Sequence, residues 1–249
     1  MATLQDLVQL VEAARQDVRS TSALYARLQP PGWVPHPIAF FGDPRRAVVA
    51  TVGVNPSIGE FLPGRRWPLA LSAEDLTHRL VGYFDSMEPP PHPWFHAWED
   101  ALGVLGQSYR QGACHFDLSP RATRSLGSLD NGDAALFHRM LTGDIRHWCR
   151  LLSVCPNIRL LLAAGAISKK TYVIEFLRGL SCVQDVSVRM QHEFRRQPGV
   201  KGGVGLYVFT LGGVDRMLFF CGSSPSDRRN PGLLGTRIAE HAETLRRWL

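Results

Sequence analysis

The sequence predicts an α/β protein: three α/β/α layers around a central, mostly parallel sheet of four to five strands. Two observations carry that expectation. Short apolar runs of strand length alternate with helical or loop segments, the order expected of a parallel sheet covered on both faces. Three of those runs end in polar loops rich in Gly, Pro and Ser, and ligands bind beyond the carboxyl ends of such strands.

Taken in order, Leu4, Leu7, Val8, Val11 and Ala14 recur at helical spacing and predict an amphipathic first helix. The Pro-punctuated stretch Gln29 to Pro37 is a connector, so residues 1–37 read as a helix and linker packed on a single domain spanning 1–249. Ala47 to Val54 (AVVATVGV) is a buried strand that runs into the loop NPSIGEFLPGRRWP. Glu88 to Trp98 (EPPPHPWFHAW) reads as a surface excursion over a core helix. Gly112 to Leu118 (GACHFDL) is a second strand, ending in SPRATRS, and Ile158 to Ala164 is a third, followed by a helix to about Leu180. GLYVFTL and RMLFFCG form a hairpin turned by Gly212 and Gly213. Leu234, Ile238, Leu245 and Trp248 predict a last helix.

Composition narrows the function classes. With 249 residues the chain buries about three quarters of its unfolded surface and needs neither disulfide nor metal for a core. No apolar run approaches the roughly 20 residues that span a bilayer, so no membrane partner is expected. Acids at Asp6 and Glu12 interrupt the first helix where a signal peptide would be apolar, so a cytoplasmic location is expected. Five scattered cysteines without C-x-x-C spacing, and nine histidines without ligand spacing, predict reduced thiols, no metal and no cofactor. The net charge of +6 fits a nucleic-acid partner slightly better than an ordinary enzyme. Neither G-x-S-x-G nor a P-loop or dinucleotide glycine pattern occurs.

The three strand-end loops carry a resemblance. Gly53-Val54-Asn55-Pro56-Ser57 is similar to the first active-site motif of the uracil-DNA glycosylase superfamily, in the G-x-N-P form of its mismatch-specific and single-strand-selective branches. Asp117-Leu118-Ser119-Pro120 resembles the middle strand end Asn-Leu-Cys-Pro, and Gly222 to Pro231 (GSSPSDRRNP) resembles the Ser-Pro loop of the second motif. The three occur in family order over residues 40–235. The resemblance implies a uracil-DNA glycosylase-like fold, a DNA partner holding a flipped nucleotide, a monomer, and an abasic-site product.

It also implies roles. Asn55 would orient the attacking water through its side-chain carbonyl; an amide is a poor base, so geometry must carry the rate. Ser57, Phe116 and Trp67 would lie against the base. Ser223, Ser224, Ser226, Arg228, Arg229 and Asn230 would contact the DNA backbone, which anchors without reading sequence. Arg65, Arg66, Arg121 and Arg124 would add a basic rim, with Lys169 and Lys170 beyond the third strand. Plainer readings stand beside these: Trp67 as a packing residue, Arg228 and Arg229 as a solvated turn, and His115 as a strand residue facing a helix.

Two departures from the family matter. The family His of the second motif is replaced by Gly222, which puts His-assisted departure of the base in doubt. Asp117 stands where the uracil enzymes have Asn, and a carboxylate set against uracil O4 is a mismatch. Cytosine presents the complementary edge: a protonated Asp117 would accept from N4 and donate to N3, easing departure of the base as a general acid. The alternative is that Asp117 caps the following turn. The small residues Ser57 and Gly59 leave room near C5, so the expected base is a modified cytosine, hydroxymethylated or glucosylated as in some phage DNA. The chain then resembles the anti-phage glycosylases of the superfamily. A uracil or mismatch repair enzyme and a non-catalytic DNA-binding protein on the same fold remain as alternatives. No Lys lies within the three motifs to support lyase chemistry.

Overall fold

In the computed structural model, residues 2–30, 35–61, 65–68, 71–86, 88–124, 131–164, 186–193, 204–222 and 232–249 are described. The buried runs form strands: β1 (Phe40–Phe41), β2 (Val49–Gly53), β3 (Ala113–Asp117), β4 (Leu160–Ala164), β5 (Val186–Glu193), β6 (Val204–Leu211) and β7 (Val214–Cys221). They make one seven-stranded sheet in the order β1-β3-β2-β4-β7-β6-β5. The four central strands β3, β2, β4 and β7 are parallel, and both flanks are antiparallel.

All five strands read from apolar runs are present, and the sheet exceeds the expected four to five strands because two edge strands were missed. β1 has only two residues, too few for a periodicity, and it pairs antiparallel with β3. β5 mixes polar and apolar residues, and its ladder with β6 is interrupted by an irregularity between Met190 and His192. The hairpin of β6 and β7 turns at Gly212 and Gly213, whose φ angles of +59° and +74° suit a two-residue turn matched to strand twist.

Alternation along the strands sorts the side chains onto two faces. Val49, Thr51 and Gly53 of β2 stand beside Ala113, His115 and Asp117 of β3, while Ala50 and Val52 stand beside Cys114 and Phe116. On the His115 face lie the helices α3 (His96–Gly103), α5 (Leu233–Glu240) and α6 (Ala242–Arg246): the rings of Trp94 and Phe95, leading into α3, pack 5.2 and 5.1 Å from His115, and Phe219 of β7 meets His241 between α5 and α6. On the opposite face lies α4 (Asn131–Val154), whose Trp148 stacks on Phe209. Helix α1 (Leu4–Ser20) packs against α4 and against α2 (Ala73–Val81). A capping box between Thr3 and Asp6 starts α1, worth roughly 1 kcal/mol.

Three sequence expectations need correction. The stretch from Glu88 to Trp98 is only partly a surface excursion: Glu88, Pro89, Pro90, Pro93 and His96 are exposed, whereas Phe95 and Trp98 are buried. The last helix is two helices broken at His241. The long helix α4 follows the second polar loop, where no helix was expected. The helix expected to follow β4 lies outside the described residues. Among the described residues, no helix is long and apolar enough to cross a membrane.

Arg216 of β7 is wholly buried, and among the described residues no carboxylate is a hydrogen-bond partner of it. It donates to the carbonyls of Ile158 (3.0 Å), Leu211 (2.8 Å), Val214 (3.1 Å) and Leu152 (2.7 Å), tying the hairpin to the last turn of α4. Burial lowers its pKa, as expected for a charge removed from water.

Candidate active site at the strand ends

The last rung of the β2·β3 ladder sets Gly53 beside Asp117, and the backbone N–H groups of Leu118 and Ser119 extend it to the carbonyls of Gly53 and Val54, each at 3.1 Å. Beyond, Ser57 and Thr123 form an isolated parallel bridge. Two polar loops therefore leave the strand ends side by side, as the sequence implied.

Asn55 is held by its nitrogen. Its Nδ2 donates to the carbonyls of Pro56 (3.0 Å) and Arg121 (3.3 Å) and to Thr123 Oγ1 (2.9 Å). Two of these partners are carbonyls and only accept, so the amide orientation is fixed by chemistry. Among the described residues, Oδ1 has no protein donor, so its acceptor capacity stays open.

Asp117 is 6% exposed. It does not cap the following turn; Ser119 does, its Oγ accepting from the N–H of Arg121 at 3.1 Å. The Asp117 partner is His115, whose Nε2 lies 3.4 Å from Oδ1. On its other side, His115 Nδ1 is 2.7 Å from Thr51 Oγ1, and Thr51 Oγ1 is 2.6 Å from the Tyr109 hydroxyl. Burial pushes the Tyr109 phenol well above its ordinary pKa. Gly53 makes room for this chain: a methyl group on it would stand 2.3 Å from Asp117 Oδ1 and 3.0 Å from His115 Nε2.

A second buried carboxylate, Glu60, follows Asn55 in the same loop. Arg66 Nε stands 2.6 Å from its Oε1, and the Tyr83 hydroxyl donates to the same oxygen at 2.6 Å. Burial raises the Glu60 pKa, opposed by Tyr83 and Arg66 and reinforced by the charge of Asp117. Arg66 also lies over the Tyr83 ring, 4.5 Å from its centroid. Arg66 and Tyr83, the partners of Glu60, border a cleft of about 450 Å³ that includes Trp67, Asp75, His78 and Arg79 in its lining. The cleft lies beside the strand-end groups, with neither Asn55 nor Asp117 in its wall. The ring of Tyr83 packs on Phe41, and Phe41 packs on His115, so the cleft and the His115 chain share an aromatic wall.

The second loop is pinned from beneath. Arg121, expected in a basic rim, is 1% exposed. Its Nε donates to both oxygens of Asp144 (3.0 and 3.2 Å), and Nη2 donates to Asp17 Oδ2 (3.1 Å) and Thr21 Oγ1 (2.6 Å). Ser119 Oγ donates to Asp144 at 2.5 Å. His147 Nε2 lies 3.1 Å from Asp17 Oδ2. Asp17, Asp144 and His147 have the spacing of metal ligands, but Arg121 already supplies the positive charge among them. Arg121 is thus an anchor, and its own carbonyl is one of the groups that hold Asn55.

The structure brings Asn55, Ser57 and Asp117 to one strand-end region. Phe116 is wholly buried on the opposite face of the sheet, because it alternates with Asp117, and its side chain packs in the core. Trp67 is 9% exposed, its ring 5.2 Å from Phe61, as the packing reading held, and it also lines the cleft. Arg66 is buried on Glu60, and Arg124 pairs with Asp133 at 3.0 Å, so neither is a free rim cation. Ser223, Ser224, Ser226, Arg228, Arg229 and Asn230, with Lys169 and Lys170, lie outside the described residues. Sequence reasoning missed Thr51, Thr123, Tyr109 and Glu60, and set His115 aside. The i, i+2 spacing of Thr51 with Gly53 and of His115 with Asp117 would have placed these four positions on one face. No family model, no curated protein and no solved structure matches this chain.

Proposed function

We propose that this chain is a DNA glycosylase, hydrolysing the N-glycosidic bond of a flipped pyrimidine nucleotide, and that the base it removes is a modified cytosine. The carrying observation is the Asn55 amide, fixed by three acceptors on its nitrogen with its oxygen left open beside a buried Asp117. A water held by Oδ1 adds to C1′, the C1′–N1 bond breaks, its electron pair leaves with the base, and the base takes up a proton. The water's second proton passes to solvent. The amide contributes position and little basicity, so its share is that of orientation. Asp117 supports the cytosine assignment because a carboxyl group is complementary to the N4 and N3 edge, a match worth roughly 1–3 kcal/mol over the wrong base. The small Ser57, two residues after Asn55 in the same loop, supports a substituent at C5.

The test is abasic-site formation on DNAs of one sequence carrying uracil, cytosine, 5-hydroxymethylcytosine or its glucosylated form. Activity confined to the modified cytosines is expected, falling about 100-fold in Asn55→Ala and lost in Asp117→Asn. Uracil release that survives Asp117→Asn would overturn the cytosine assignment, and silence on all four DNAs would overturn the glycosylase reading.

A further inference from the structure

The chain Asp117, His115, Thr51, Tyr109 is buried, continuous and unused by the steps above. Its hydrogen atoms can be assigned from the partners alone. Tyr109 is held protonated by burial, and among the described residues its hydroxyl has one partner, Thr51 Oγ1, so Tyr109 donates to Thr51. The Thr51 hydroxyl then has two available acceptors: His115 Nδ1 at 2.7 Å and the Cys114 carbonyl at 3.5 Å. If it donates to Nδ1, His115 is neutral with its proton on Nε2, directed at the Asp117 carboxylate. If it turns to the Cys114 carbonyl, Oγ1 is free to accept from an Nδ1–H, and a second proton is held between Nε2 and Asp117 Oδ1. Each arrangement satisfies every donor in the chain.

We propose that Asp117 and His115 share one transferable proton, that the Thr51 hydroxyl stabilises the pair in both its loaded and its empty state by turning between His115 and Cys114, and that this proton is the one taken up by the departing base. The pair exists independently of the glycosylase reading; its use rests on that reading. In the loaded state the proton held between Nε2 and Oδ1 passes through Asp117 to the base anion, leaving His115 neutral with its remaining proton on Nδ1 and Thr51 turned to Cys114; exchange of that proton with water restores the Nε2–H form, in which Thr51 donates to Nδ1. One proton leaves the pair, one base anion is neutralised, and bulk water at the open strand end reloads the pair. Asp117 is the catalytic residue of the set, while His115 and Thr51 act through it as positioning residues. The rings facing His115 are those of Phe41, Trp94 and Phe95; other charged groups nearby among the described residues are Glu60, which feels the charge of Asp117, and Glu99, which accepts from the Tyr109 backbone N–H at 3.2 and 3.3 Å. Gly53 is required by the same geometry, since any Cβ there occupies the contact between Oδ1 and Nε2.

Nitrogen-15 NMR of histidine-labelled full-length protein reads the pair directly. Neutral His115 is expected to carry its proton on Nε2, with the Nε2 resonance displaced in Asp117→Asn. A neutral His115 protonated on Nδ1, or an Nε2 resonance indifferent to Asp117→Asn, overturns the proposal. On a DNA carrying glucosylated 5-hydroxymethylcytosine, activity should decline on the alkaline side. Thr51→Val should move that decline to lower pH, because an imidazolium N–H without a partner loses more than a neutral nitrogen does. Thr51→Ser should restore it, and His115→Gln should lower kcat about 100-fold or more. Gly53→Ala, which removes no polar group, should abolish the alkaline decline by parting the pair. A wild-type pH profile in both Thr51→Val and Gly53→Ala overturns the role in catalysis. Wild-type silence on every DNA, with the expected spectra, removes the glycosylase reading and leaves the shared proton standing.

Discussion

Arg121→Met tests whether the second strand-end loop, whose Arg121 carbonyl and Thr123 hydroxyl hold the Asn55 amide, is anchored from below. Methionine fills similar space and removes the charge from a site in which Asp144 and Asp17 have side-chain exposures of 2% and 15%. Asp17 keeps Arg146 and His147, whereas Asp144 keeps, among the described residues, only Ser119 as a direct hydrogen-bond partner. Breaking one side of a buried pair costs about 3–5 kcal/mol. For a chain of this length that is roughly 10 °C in Tm. The loss should depend on pH. Burial already raises the Asp144 pKa despite the opposing Arg121 charge, and without Arg121 it rises further. A carboxyl whose folded pKa exceeds its unfolded value favours the folded state less as pH rises, until the folded pKa is passed. The deficit of Arg121→Met is therefore smallest near pH 5 and grows toward pH 8, by at most about 1.4 kcal/mol per pH unit. Urea unfolding of both proteins at the two pH values measures it. A variant within about 1 kcal/mol of wild type at pH 8 would refute the anchoring argument.

Other consequences are equally direct. Thr123→Val removes one of the three acceptors on Asn55 and should lower kcat about tenfold with little change in KM, because about one hydrogen bond of orientation is lost; a raised KM with unchanged kcat would contradict the role given to Asn55. Arg216→Met leaves four carbonyls without their donor and should cost about 3 kcal/mol in chemical unfolding; a variant as stable as wild type would show that the buried charge cost what its hydrogen bonds returned. Asp17 should help set the acid limit of stability. Burial raises its pKa, but hydrogen bonds from His147 and Arg146 with the nearby arginine charges outweigh this and lower it. Its contribution is then present above the unfolded pKa and lost as pH falls through the folded one, so Asp17→Asn should flatten the acid arm of a pH–stability curve.

The parallel centre of the sheet was legible because strands buried on both faces must be apolar almost throughout: Leu160 to Ala163 of β4 are all 0% exposed. The edges were not, since Phe40 and Phe41 form too short a strand to show a period and the polar residues of β5 mask its alternation. At the site, Asn55 and Asp117 stood out by their strand-end position, but their supports did not. Arg121 looks like a surface cation in sequence because nothing local shows that Asp17, more than a hundred residues earlier, will meet it. His115 and Thr51 come together only through the register of β2 on β3, which is a property of the pairing and of neither strand alone. Glu60 sits in a Gly- and Pro-rich loop without periodicity, and its partner Tyr83 lies beyond α2.

The two rims of the sheet differ from its regular centre in a way that bears on solubility. One ends in a strand of two residues and the other in a strand whose ladder slips between Met190 and His192. Short edges and irregular edges are what discourage a foreign strand from adding to a sheet. A long run of free N–H and C=O groups, the template on which chains polymerise edge to edge, is absent from β1 and broken in β5. Copies of this protein at high concentration would thereby be kept from growing into a continuous cross-chain sheet.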